Sequence, residues 1–65
     1  MFISGIIRYK RHHINFEVRY GEEPFTDTQV NEPEIKHPLI NKINQKYRVK
    51  YPKSSIIESV KWTSI

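Results

Sequence analysis

The side chains with most capacity for chemistry in this 65-residue sequence are three histidines, seven carboxylates and eleven Lys and Arg residues. His12 and His13 are adjacent, and His37 lies far along the chain. A zinc site needs three or four ligands in fixed geometry. Neighbouring residues of an extended strand point to opposite faces, so His12 and His13 make poor co-ligands. No His-x3-His spacing occurs, and no cysteine is present to supply a thiolate, a disulfide or a sulfur nucleophile. No metal or other cofactor is expected.

Nucleophilic and acid–base chemistry fare no better. Asp27 is the only aspartate and stands between Thr26 and Thr28 in an acidic stretch. Ser54, Ser55 and Ser59 lack the sharp strand-to-helix turn that exposes a catalytic serine. Gly5 and Gly21 are the only glycines, too few for a phosphate-cradling loop. The expectation is a protein that is not an enzyme.

The bases remain. Arg8, Lys10, Arg11, His12 and His13 fall within six positions, in the run RYKRHHINFEVRY. Lys42, Lys46 and Arg48 form a second group. Clustered Lys and Arg neutralise phosphates, and a two-stranded ribbon with a basic tip fits a nucleic-acid groove. Tyr9 and Tyr20 flank the first group, where phenol rings stack on unpaired bases. The expected nucleic-acid contacts are therefore Arg8, Lys10, Arg11, His12, Lys42, Lys46 and Arg48.

Charge is segregated along the chain, whose net value is +4. Residues 1–20 carry four bases against Glu17, a balance of +3. Residues 21–35 carry five acids and no base, a balance of −5, and residues 36–65 carry seven bases against Glu58, a balance of +6. The acidic segment offers a second expectation: a small inhibitor or adaptor that docks onto a host protein complex. Glu22, Glu23 and Asp27 would form its carboxylate surface, and Tyr51 and Trp62 its aromatic anchors.

These side chains need elements to position them. Ile14, Phe16, Val18 and Tyr20 alternate with Asn15, Glu17 and Arg19, the period of a half-buried strand over 13–20. Residues 2–9 suit a partner strand, with Ile3, Ile7 and Tyr9 on one side and Phe2 and Ile6 on the other. Gly5 there marks a bulge or a close backbone contact. Lys10, Arg11 and His12 form the connection, so residues 2–20 read as a hairpin.

Residues 21–34 read as an acidic loop, with an optional short edge strand within 25–30. The spacing of Leu39, Ile40, Ile43 and Tyr47 predicts a helix over 37–49 with Pro38 in its first turn. On that helix Asn41, Asn44, Gln45 and Arg48 face solvent. Residues 55–64 close the chain as a strand, with Ile56, Val60 and Trp62 on one face and Ile57, Ser59, Lys61 and Thr63 on the other. The predicted fold is a single α+β domain of order ββαβ: a mainly antiparallel sheet of three strands, four if the optional one forms, with one helix on a face.

The run IIRYKRHHINFEVRY is similar in style to the first two strands of the small DNA-binding domains that precede tyrosine integrases. A final strand after the helix departs from that order, and the chain is not assigned to that family. Ten Ile and seven Lys, with one Leu and no Ala, match the codon economy of an AT-rich genome. That points to a low-GC bacterium or its phage. The apolar run at residues 2–7 is interrupted by Ser4 and Gly5 and stops at Arg8, too short for a secretory or membrane segment. A cytoplasmic protein is expected, and a homodimer is a reasonable route to extra burial in so short a chain.

Overall fold

The computed structural model describes residues 1–21 and 29–63. Strands β1 (Phe2–Tyr9) and β2 (His12–Arg19) are followed by a 3-10 turn (Gln29–Asn31), helix α1 (Pro33–Tyr47) and strand β3 (Ile56–Thr63). The three strands form one antiparallel sheet in the order β2-β1-β3. The expected α+β fold is therefore present. Of the optional edge strand over 25–30, residues 25–28 lie outside the described residues, and Gln29 and Val30 belong to the 3-10 turn.

The hairpin follows from its alternation. Ile3 pairs with Val18 and Ile7 with Ile14, which sets Ile3, Ile7, Phe16 and Val18 into the core on one face. Tyr9 pairs with His12, so the turn is only Lys10 and Arg11. A two-residue hairpin requires a left-handed residue, and Lys10 supplies it at φ +56 without the freedom of glycine.

Strand β3 departs from simple alternation. Ser4 pairs with Lys61 and Ile6 with Glu58, so Ser59 and Val60 together stand opposite Gly5. Ser59 takes up the extra residue at φ +55. This β-bulge reverses the phase of the strand, and it corrects the expected faces. Ile57 is buried at 2% exposure and Ile56 is 46% exposed, whereas Val60 and Trp62 still pack against the core. Gly5 makes the bulge sterically possible. A Cβ there would lie 2.7 Å from the Glu58 carbonyl oxygen and 3.3 Å from the Phe16 ring.

Helix α1 begins four residues earlier than its apolar spacing predicts. Pro33 occupies the first helical position, where a missing N–H has no partner to lose. The Glu32 carbonyl accepts from the N–H groups of Ile35 and Lys36 at 3.0 and 2.7 Å. Pro38 consequently lies inside the helix rather than in its first turn. Leu39, Ile40 and Ile43 are fully buried against the sheet, and that packing carries the helix past the bond Pro38 cannot donate. Tyr47 stays on the rim at 36% exposure. The helix ends at Arg48 in the left-handed conformation (φ 56, ψ 46), with the Asn44 carbonyl accepting from the N–H groups of Arg48 and Val49.

Two asparagine side chains finish the frame. The Asn44 amide donates to the Tyr51 carbonyl at 3.0 Å, and its oxygen accepts from the Tyr51 N–H at 2.9 Å. Asn44 thus turns inward to the segment after the helix, not to solvent as its position on the polar arc predicts. Asn31 treats Ile57 in the same way, at 3.0 and 3.1 Å. Each carboxamide acts as a one-residue strand, satisfying both backbone groups of its partner.

The packing makes two substitutions informative. Gly5→Ala drives a methyl against backbone that cannot step aside, and it should destabilise by roughly 1–3 kcal/mol in urea or thermal unfolding. Unchanged stability would mean that the Glu58 carbonyl is not held against Gly5. The Ser55 hydroxyl is fully buried with no hydrogen-bond partner among the described residues. Ser55→Ala removes that unmet polar group, with an expected gain of about 1 kcal/mol by the same assay.

Candidate functional site

Helix α1 lies along β2 in a way that brings its basic flank to the sheet edge. Near the start of the helix, the Tyr20 hydroxyl donates to the Ile35 carbonyl at 3.4 Å. Lys42 places its ammonium 5.8 Å from the Tyr20 ring centre. At the end of the helix, the Glu17 N–H donates to the Tyr47 hydroxyl at 2.9 Å, and Lys46 donates to the Glu17 carbonyl. The chain then delivers residues 49–52 to the hairpin tip, where they meet Tyr9 and His12.

Two concavities result, and among the described residues no carboxylate lines either of them. A groove of about 500 Å³ wraps the β2 edge, with Phe2, Val18 and Arg19 on the sheet side and Lys42, Gln45 and Lys46 on the helix side. A cleft of about 280 Å³ lies at the tip between Tyr9, His12, Val49, Lys50, Tyr51 and Pro52. Alternation sends the Glu17 and Arg19 side chains alike to the sheet face away from the helix, so Arg19 reaches the groove only where it wraps the β2 edge. The groove presents Lys42 and Lys46 on its helix side and Arg19 at its outer rim.

The expected nucleic-acid contacts divide accordingly. Lys42 and Lys46 line the groove, although Lys46 also caps β2 and stands 5.3 Å from the Tyr47 ring centre. Lys10 and Arg11 are exposed at the turn, with the Lys10 ammonium 5.3 Å from the Tyr9 ring centre. His12 lines the tip cleft, and Arg48 is exposed where the helix ends. Arg8 falls on the opposite sheet face and is ion-paired to Glu58 at 2.7 Å. The pairing partly neutralises the Arg8 charge, and both side chains remain about half exposed.

Arg19 and Lys50 join these concavities without any mark in the sequence, because only tertiary packing brings them there. Tyr20 moves the other way. It packs against the core beneath Lys42, and Tyr51 rather than Tyr20 shares the tip with Tyr9.

Of the alternative protein-contacting residues, Tyr51 and Trp62 are half-buried and pack against the core. Glu22, Glu23 and Asp27 lie outside the described residues. His12 and His13 alternate to opposite faces of β2. Glu34 and His37 stand three residues apart on α1, a spacing suited to metal ligation, yet no group of three such ligands comes together among the described residues. No helix of the described residues is long and apolar enough to cross a membrane. Comparison with protein-family models, with curated proteins and with solved structures returned no match.

Burial raises the Tyr20 hydroxyl above its ordinary pKa. The folded state thus holds the phenol proton more tightly than the unfolded chain does. The associated stability is complete below about pH 10 and is lost as pH rises through the folded value. Chemical unfolding from pH 8 to 11 should show a steeper alkaline loss for the wild type than for Tyr20→Phe. Parallel curves would assign the loss to groups other than Tyr20.

Proposed function

We propose that this protein is a non-enzymatic binding module that takes nucleic acid along the β2 edge and over the hairpin tip. One observation carries the reading: Arg19, Lys42 and Lys46 line a single groove in which no carboxylate of the described residues takes part. Phosphates set in a row suit such a groove, because each Lys or Arg that meets one releases condensed counterions. Lys10, Arg11 and Arg48 lie beyond one end of the groove, toward the tip, and extend the cationic track past the edge itself. Backbone phosphate contacts of this kind give affinity and orientation without reading a base sequence.

Arg8 contributes less than its place in the sequence suggests, since Glu58 holds it on the other face of the sheet. Alternation places His13 on that face as well. The β2 edge and its helix side form the contact surface in this reading, with Arg19 reaching the edge from the outer face and Lys10, Arg11 and His12 at the tip.

Anisotropy titrations of labelled DNA and RNA at 50 and 200 mM salt test the proposal. Affinity should fall steeply between the two concentrations. In the double variant Arg19→Gln/Lys42→Gln, the log–log salt slope should shrink by about 0.7 for each phosphate left unneutralised on a single strand, or about 0.9 on duplex DNA. No binding at low salt ends the proposal. Binding whose salt slope ignores both substitutions would place the nucleic acid away from the groove.

A further inference from the structure

We infer that the tip cleft is a seat for one unpaired nucleobase, which makes single-stranded nucleic acid the preferred form over duplex. This deepens the proposed function and rests on it. The two concavities differ in chemistry. The β2 groove is dominated by cations, whereas the cleft is lined by Tyr9, Tyr51 and His12 beside Val49 and Pro52, with one cation, Lys50. π faces next to an ammonium suit a planar ring that carries a phosphate on its sugar.

Access selects the form of that ring. At about 280 Å³ the cleft is slightly smaller than common small-ligand sites and has room for a base presented singly. A base within a duplex would have to be flipped out of its stack, at a cost of a few kcal/mol. A base on a single strand is already free to turn inward.

The cleft is also held in shape before any ligand arrives. Both backbone groups of Tyr51 are tied to the Asn44 amide, and Val49 and Tyr51 pack against the core. Tyr9 and His12 are cross-strand partners that close the hairpin. Lys10, with its ammonium close to the Tyr9 ring, stands ready to meet the phosphate of a seated nucleotide.

The test compares three labelled probes of equal length at low salt: oligothymidylate, an abasic oligomer with the same phosphates, and a duplex. Oligothymidylate should bind about tenfold more tightly than the abasic oligomer, with the duplex weaker than the single strand. Tyr9→Ser should bring the ratio of oligothymidylate to abasic affinity toward one. Tyr51 packs against the core, so the cleft is also read in the wild type, by amide chemical shifts during the oligothymidylate titration. Shifts are expected at Tyr9, His12, Lys50 and Tyr51.

Equal affinity for oligothymidylate and the abasic oligomer, or unmoved amides at those four residues, overturns the base seat. Either result leaves the phosphate groove standing if the salt slope still responds to Arg19 and Lys42. Failure of all three probes to bind overturns both.

Discussion

The Glu58 carbonyl pressed over Gly5 is the contact on which the rest of this small domain depends. It exists because β3 carries one residue more than β1 can match, and Ser59 absorbs the surplus. With strict alternation, Ile57 would lie on one side of the sheet and Val60 and Trp62 on the other. The bulge puts all three on the helix side, beside Ile3, Ile7, Phe16 and Val18. A 65-residue chain buries too little surface to give up any of them easily. The same shift turns the Glu58 carboxylate outward to meet Arg8, so a backbone constraint also sets one of the protein's ion pairs.

A sheet of three strands has two edges for one interior strand, and unpaired backbone groups along an edge invite association with other chains. Here side chains answer part of that demand. Asn31 occupies the outer side of β3 at Ile57, and Tyr47 with Lys46 occupies the outer side of β2 at Glu17. Lys46 therefore has two tasks, terminating an edge and lining the groove. Arg19 and Lys42 are the residues whose charge is separable from the architecture, and the cationic character of the groove can be probed there without loosening β2.

Legibility in the sequence tracks how local each cause is. The hairpin is readable because the alternation of β2 meets no interruption and a strand-like partner precedes it across a short basic connection. Helix α1 is readable in its apolar arc but not at its start, since Pro33 and Pro38 are both plausible first-turn residues and only packing separates them. The faces of β3 are unreadable because Ser59, in a backbone conformation usually left to glycine, leaves no mark in composition. The telltale glycine sits on the partner strand instead, at Gly5. The polar arc of α1 hides the role of Asn44, and Arg19 and Lys50 enter the site only once α1 has docked. The basic tip and the helix lysines are readable as charge, and only the fold separates Arg8, on the far face of the sheet, from the lysines of α1.

The pairing of Phe2 with Thr63 has a consequence for how the chain reaches this state. The hairpin is a local event, formed across a two-residue turn. The interior strand gains its second neighbour only when β3 arrives from the far end of the described chain. Loop closure over that span comes late and is entropically costly, so the sheet is expected to complete in a step slower than hairpin formation. Until then the β3-facing side of β1 has no strand beside it. The interval between those two events is when the protein is most open to joining the wrong chain.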